Sequence, residues 1–421
     1  MARRPLFLPA VLTLALALGA GACSSVGSPG DGAPLTSDTS SSPPATAAPS
    51  APPTTSSSTS TSTTTSTTTT PPPPTTLTLR GDVPPHLGAA AERFYNHVID
   101  PARPTAMPPG LARHVAGYPV EPGRVKAKGS VATLANGDRV GVVVTDAGGV
   151  VFVNPAGPNR GWRPVAAMLD GIEPWLGPEG PRHLLVLGSD ARVGQDQLNL
   201  RADSVHILSM RPRHGDGALV GFPRDSWIQG SKLTDLMPGR GPEGMLDIIG
   251  ATSGINLEGY VAVGFEGFLG LMEDLGDLAI DLPVAMNSGN TWDDYPEGPQ
   301  VLDPQLTLRL ARIRKGLPQG DFDRSVNQGR IILAALSMVQ ERGLRYLPAW
   351  VASYSRHGFT DLDTEALVTF AAAAQVADPA AITNMVLPGS VGFVGAASVV
   401  FLGSGAEAVY ADLTDAIIGN E

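Results

Sequence analysis

The chain has 421 residues, with 29 Lys and Arg against 40 Asp and Glu, a formal net charge of -11. Repulsion from phosphate backbones excludes a general nucleic-acid binder in the absence of a basic patch and a reading motif, and the sequence has neither. With a single cysteine, Cys23, intrachain disulfides and thiolate metal clusters are excluded too, so stability rests on packing, for which 42% hydrophobic residues suffice.

Residues 1–22 join Arg3 and Arg4 to an apolar run from Pro5 to Leu18 and close on Ala20, Gly21 and Ala22, the pattern of a secretory signal peptide. The run is shorter than the ~20 residues a membrane span needs, and it contains two prolines. Cys23 directly follows the small-residue cleavage site, where a bacterial lipoprotein carries diacylglycerol, so lipidation is expected. An A-x-A site for soluble release is the alternative, since Ala20 stands where a lipoprotein signal usually has Leu. Either reading makes the protein extracytoplasmic, and the first anchors it to the membrane facing the wall. Residues 23–79 are almost entirely Ser, Thr, Pro, Ala and Gly with only Asp31 and Asp38 charged, too polar to offset ordering entropy, so a disordered stalk is expected.

Residues 80–172 predict a small α+β accessory domain. A helix over 89–99 precedes the strand VATLA, the turn Asn136-Gly137, the strand RVGVVVTD, the turn Ala147-Gly148-Gly149 and the strand VVFVN. Asn-Gly is a strong hairpin signal because both residues accept positive φ. No site chemistry stands out here. In residues 173–421 the short apolar runs HLLVLG, SVHILSM and ALVGF read as strands covered on both faces, and helices are expected over 243–252, 265–275, 304–314, 325–341 and 363–375. Strands followed by helices indicate an α/β domain with the sheet between helices. Ile331, Ile332, Ala335, Leu336 and Val339 share one helix side, a periodicity that an ordinary core and a lipid cavity would produce alike.

Polar residues at the strand ends carry the chemistry. HLLVLG is followed by Ser189-Asp190-Ala191-Arg192; Arg201-Ala202-Asp203-Ser204 leads into SVHILSM; Pro223-Arg224-Asp225 follows ALVGF. Ligands of open α/β sheets bind at such ends. A second cluster holds Arg309, Arg312, Arg314 and Lys315, then Asp321-Phe322-Asp323-Arg324 and Gln328, with Arg324 and Gln328 four apart on one helix face. Each pair alone reads as a surface ion pair worth under ~1 kcal/mol. Together, arginines suited to bidentate phosphate binding and carboxylates suited to Mg²⁺ point to a metal-bound pyrophosphate.

These motifs, with Lys232-Leu233, GYVAVGFEGFLGLMEDLG, LARIRKGLPQGDFDRSVNQ and VLPGSVGFVGAASVVF, resemble the LytR-CpsA-Psr family of bacterial cell envelopes in order and spacing from about Arg182 to Phe401. The resemblance implies a three-layer α/β/α domain with an apolar tunnel for a polyprenyl chain. It implies an Mg²⁺-dependent phosphotransferase that moves a glycopolymer from a polyprenyl-pyrophosphate-linked donor onto peptidoglycan and releases polyprenyl phosphate. Position by position, Asp190 and Asp203 match the Mg²⁺-associated aspartates. Arg201, Arg224, Arg312, Arg314, Arg324 and Gln328 match the pyrophosphate-binding set, with Lys232 as a basic residue after the Pro-Arg-Asp motif. Asp190, Asp203 and Asp225 all stand as candidates for the general base. The chain departs from the pattern at Asn327, where many members have Arg, and in a short loop with Trp227 and Ile228 where some place a further Arg. A non-catalytic envelope lipoprotein that binds polyprenyl-linked or wall glycans is the competing reading; transcriptional regulation conflicts with the export signal and the acidic charge.

Overall fold

The structure, a computed structural model, describes residues 75–419 other than 159, 288 and 290–293; the signal segment, Cys23 and the Ser/Thr/Pro tract through residue 74 lie outside the described residues. The amino-terminal part runs β1 (Leu77–Asp82), α1 (Pro85–Ile99), α2 (Pro109–His114), β2 (Gly123–Thr133), β3 (Arg139–Thr145), β4 (Gly148–Asn154) and β5 (Arg163–Leu169). Its five strands pair in sequence order, β1 parallel to β2 and the rest antiparallel. Residues 77–79, expected to end the stalk, instead begin β1. The reason is tertiary: the Asn96 side chain accepts from Leu77 N at 2.8 Å and donates to Leu77 O at 2.9 Å, and Glu92 accepts from Leu79 N at 2.7 Å, so side chains of α1 pair this strand's free edge. The sheet buries both faces. Val143, Val150 and Phe152 pack on Leu87 and Phe94 of α1, while Val140, Val142 and Val151 join a cluster with Leu347, Val351 and Phe370 from further along the chain.

The remainder is β6 (Arg182–Ser189), β7 (Ala202–Arg211), β8 (Asp216–Gly221), β9 (Trp227–Ile228), β10 (Ser231–Lys232), α3 (Gly241–Ser253), β11 (Tyr260–Val263), α4 (Phe265–Leu275), β12 (Leu278–Leu282), β13 (Met286–Asn287), β14 (Asp294–Tyr295), β15 (Gly298–Leu302), α5 (Pro304–Leu310), α6 (Asp321–Glu341), α7 (Leu347–His357), β16 (Phe359–Thr360), α8 (Thr364–Val376), β17 (Ile382–Val386), β18 (Gly389–Val394), β19 (Ala397–Leu402) and α9 (Ser404–Leu413). The central sheet has the order β16-β11-β6-β7-β8-β17. Alternate residues of β6 face opposite layers, as strand pleating requires. Leu185 and Leu187 pack with Ile248 and Ile249 of α3 and Tyr410 and Leu413 of α9. Leu184 and Val186 face α4, α6, α7 and α8. The result is the three-layer α/β/α arrangement that the motifs led us to expect.

Helix bounds differ from the sequence reading where the chain turns sharply. Helix α5 stops at Leu310 because the next turn tightens, with Arg312 N donating to Arg309 O at 3.0 Å and Ile313 N to Leu310 O at 3.3 Å. Helix α6 starts at Asp321, with Asp321 and Asp323 in its first turn where the helix dipole favours acids. The described residues belong to one unit, Pro71–Glu421. All five apolar clusters of the described residues are internal to it, so it carries its own core.

Candidate functional site

One edge of the central sheet gathers the three strand ends. In the antiparallel β6–β7 pair Ser189 stands opposite Ala202, and the register shifts between Gly188 and Ser189, a bulge that re-aims the residues beyond it. Asp190 N then donates to Arg201 O at 2.9 Å, closing the loop end. The β8 strand stops at Gly221, and Arg224 and Asp225 follow beside it. Helix α6 brings Arg324 and Gln328 over the same edge.

These side chains form a line of alternating charge. Arg224 Nη1 donates to Asp203 Oδ1 at 2.5 Å. The Arg224 backbone N–H donates to Asp321 Oδ2 at 3.1 Å, and Asp321 Oδ1 accepts from Arg324 Nη2. Thr234 Oγ1 lies 3.5 Å from Asp203 Oδ1. The Nε atoms of Arg224 and Arg324 are buried without a hydrogen-bond partner among the described residues, which leaves each guanidinium a donor to offer an anion. Arg324 is only 6% exposed. Burial lowers its pKa despite Asp321 and Asp203, and the neighbouring charges of Arg224 and Arg314 act in the same direction. For Arg224, burial works against the charge, but Asp203, Asp225 and Asp321 outweigh it and raise its pKa.

The Asp190 carboxyl is pushed up by burial and by the charge of Asp203, partly offset by Arg201 and Arg224. Two carboxylates in that relation are hard oxygen donors whose repulsion a divalent cation would relieve. Asp190 and Asp203 are therefore the two residues that could hold a divalent cation. Among the described residues no group of three or more His, Cys, Asp or Glu is placed to hold a metal, so the remaining ligands would be phosphate oxygens and water.

The other expected residues surround this line at varying distance. Gln328 Nε2 donates to Ala311 O at 3.0 Å and reaches Asp203 O at 3.4 Å, tying α6 to the segment that carries Arg312. Arg312 lies over the Phe265 ring at 4.6 Å. Lys232 Nζ is 3.2 Å from Asp225 Oδ1, presented by the β9–β10 hairpin, whose two-residue turn has Gln229 at φ 52 and Gly230 at φ 80. Arg201 pairs outward with Asp235 at 2.8 Å and joins the site only through its effect on Asp190. Asn327, noted as a lost charge, points elsewhere: its Nδ2 donates to Met286 Sδ at 3.1 Å and its Oδ1 accepts from Arg330 at 2.5 Å. Sequence reasoning named Asp321 within the second cluster but gave it no role, and left Thr234 and Phe265 out of the site. Asp321 had a signal, its i,i+3 spacing to Arg324; the other two had none.

Behind the charges the space becomes apolar. A cavity lined by Asp203, Arg312 and Arg324 at its polar end shares Val186, Val263, Phe268 and Ile331 with a second. The second lies between β6, β7 and β11 and helices α4, α6, α7 and α8, and no charged residue lines it. The Ile331, Ile332, Ala335 and Leu336 side of α6 lines it, while Val339 is buried in the packing beside it. His206, fully buried with Nε2 3.1 Å from Ser325 O, has its pKa pushed down to about 4 by burial, so it stays neutral and serves as packing. A polar end rich in arginine that opens into an uncharged cavity accommodates an amphiphile with an anionic head.

The family described as LytR_cpsA_psr matches residues 172–412. The cell wall biosynthesis protein LcpA of Corynebacterium glutamicum is 25% identical over 227 residues, 42% of this chain and 44% of that protein. The polyisoprenyl-teichoic acid–peptidoglycan teichoic acid transferase TagU of Oceanobacillus iheyensis is 26% identical over 173 residues, 37% of this chain and 50% of the relative. The chain therefore spans about half the length of the curated relatives it matches. The crystal structure of B. subtilis TagV aligns with 56% of this chain and 96% of its own at 18% identity and a TM-score of 0.46.

Proposed function

Because the chain belongs to the LytR_cpsA_psr family, we propose that it transfers a glycopolymer from a polyprenyl-pyrophosphate donor to peptidoglycan and releases polyprenyl phosphate. The observation that carries this reading is an uncharged apolar cavity continuous with a polar end lined by buried Arg324, whose Nε has no hydrogen-bond partner among the described residues, and beside which Arg224 stands half-buried across Asp321. The polyprenyl chain occupies the cavity and the pyrophosphate lies against Arg224 and Arg324, with Arg312, Arg314 and Lys232 around it, while Arg201, paired with Asp235, acts on the site through Asp190. Asp190 and Asp203 would hold Mg²⁺, which supplies neutralising charge on the phosphate oxygens when bound.

A peptidoglycan sugar hydroxyl attacks the phosphorus attached to the glycan. The bond from that phosphorus to the polyprenyl phosphate oxygen breaks, and the hydroxyl proton passes to a carboxylate. Asp225 is that carboxylate, since it lies outside the Asp190–Asp203 pair and is held by Lys232 and Arg224. Arg224 and Arg324 stabilise charge growing on the leaving phosphate, an effect that costs about 10² to 10³ in rate when one such donor is removed. We further propose that Cys23 carries the lipid anchor and that the body works outside the membrane.

The test is to incubate residues 71–421 with a synthetic polyprenyl-pyrophosphate glycan, peptidoglycan fragments and Mg²⁺, and to follow products by mass spectrometry. A glycan-phosphate-peptidoglycan adduct, lost in Arg224→Ala and Asp203→Asn, is the expected result. Donor binding without turnover across several glycans and acceptors would replace transfer with the binding-only reading.

A further inference from the structure

We propose that the β18–β19 hairpin inserts into the surface of a lipid bilayer and seats the mouth of the site on the membrane. Four of the nine large apolar side chains exposed among the described residues lie on this one hairpin: Phe393 at 72%, Val391 at 66%, Phe401 at 40% and Val394 at 36%. The sequence contains no charged side chain between Asp378 and Glu407. Apolar exposure concentrated on a protruding element marks a surface built to be covered.

The root of the hairpin is fixed to the site. Val399 and Val400 are buried, Val400 N donates to Asp225 O at 2.9 Å, and Val400 bridges Ser226. Beside that root lies the β9–β10 turn with Trp227 and Lys232. Arg240, exposed, donates from Nη1 to the neutral Gln229 at 3.2 Å and has no ion-pair partner among the described residues. The acids nearest by are already engaged, Asp225 by Lys232 and Arg224 and Asp235 by Arg201. An uncharged apolar tip beside a Trp and an Arg with no ion-pair partner among the described residues is the composition that settles at the bilayer interface, rings and hydrocarbon inward and the guanidinium toward anionic headgroups. A glycan would need polar groups beside the rings, and the hairpin offers only Ser390 and Ser398. The proposal rests on the lipid-donor reading only for its purpose, which is to bring the cavity to the donor's membrane.

Residues 71–421 contain no cysteine, since the only one is Cys23. A Phe393→Cys variant therefore takes a single environment-sensitive NBD label, and Val284→Cys, at an exposed position away from the hairpin, takes the control label. Vesicles of phosphatidylcholine mixed with phosphatidylglycerol should blue-shift the label at 393 and raise its intensity several-fold, while the label at 284 stays unchanged. In flotation, a Val391→Ser/Phe393→Ser variant with unchanged Tm should partition about tenfold or more weakly, given the apolar area removed. Absence of flotation, or an unresponsive label at 393, overturns the proposal. So does a dimer in sedimentation equilibrium that disappears in the double variant, which assigns the face to a second copy, and so does a label response to peptidoglycan fragments alone. No donor is present in these assays, so their failure leaves the transfer reading standing, and a failed transfer assay leaves vesicle binding standing.

Discussion

Replacing Arg324 with Met removes the most deeply placed cation of the site while keeping most of its volume. Deleting one member of a buried ion pair costs about 3–5 kcal/mol because the other is left uncompensated. Here Asp321 keeps the backbone N–H of Arg224 at 3.1 Å, and burial already works against the Arg324 charge, so the cost should sit near the lower end, about 3 kcal/mol. The same substitution removes a guanidinium whose Nε has no partner. Inorganic pyrophosphate at a hundredfold over its Kd should stabilise the parent chain by about 2.7 kcal/mol, and losing one charge-assisted contact of about 1.5–3 kcal/mol should weaken that binding roughly 10- to 100-fold. The assay is thermal unfolding of residues 71–421 across a pyrophosphate titration with and without Mg²⁺, beside donor turnover. A parent-like ligand shift together with parent-like turnover in Arg324→Met would refute the assignment of this residue to the anion site. Arg324→Lys separates charge from geometry, since a buried Lys sheds its proton more readily than Arg and lacks the fork; it should recover stability in part and turnover hardly at all.

Three further outcomes follow from the same geometry. The Asp190 carboxyl has a raised pKa in the folded protein through burial and Asp203, so its ionisation costs stability above that pKa; Asp190→Asn should raise Tm at neutral pH, with the gain fading as pH falls through the raised folded value and gone below the ordinary carboxylate value, and Mg²⁺ should stabilise the parent chain but not this variant. Asp138 is the opposite case: burial would raise its pKa, but hydrogen bonds from Thr364, Ala156 N and Asn136 prevail and lower it. Its contribution is present above the ordinary carboxylate value and lost as pH falls through the depressed one, so Asp138→Asn should lower Tm at neutral pH and converge with the parent in acid. Ala335→Phe places a ring in the apolar cavity; long-chain polyprenyl donors should lose about tenfold or more in kcat/KM, short-chain donors and pyrophosphate binding should not change, and equal losses for both chain lengths would count against the cavity as the lipid site.

The features readable from sequence are those that local pattern determines. The apolar runs of β6, β7 and β8 fixed where their polar ends must fall, which put Asp190, Asp203 and Arg224 together before any coordinates. Four-residue spacing placed Arg324 and Gln328 on one side of α6. What escaped depends on contacts distant in sequence. Asp321 belongs to the site because its carboxylate meets Arg224 N across 97 positions. Strand β1 exists because Asn96 and Glu92 complete its hydrogen bonds, and its Thr78 merges in composition with the tract before it. Asn327 was conspicuous as a missing charge, yet helical phase turns it toward Met286. The apolar side of α6 illustrates the same limit. Its periodicity marks the inward side, but Ile331 and Val339 are buried while Ile332, Ala335 and Leu336 are partly exposed to the cavity, and only the packing of α4, α7 and α8 around the helix distinguishes a filled core from a cavity.

An acidic chain that is to hold pyrophosphate must keep its arginines charged, positioned and not already neutralised beyond recovery. The Asp203–Arg224–Asp321–Arg324 line meets all three requirements. Arginine retains its proton at a depth where lysine would lose it, and Asp321 orients both cations, one through its backbone N–H and one through its guanidinium. Asp203 holds Arg224 through a single Nη1 contact at 2.5 Å, while Nε, 3.8 Å from Asp225 Oδ1, makes no hydrogen bond. A phosphate oxygen can therefore bind Arg224 without first breaking the ion pair that holds it in place. The free protein thus carries its phosphate donors already oriented, so little reorganisation is left for the reacting complex, which is the condition under which electrostatic stabilisation is most effective.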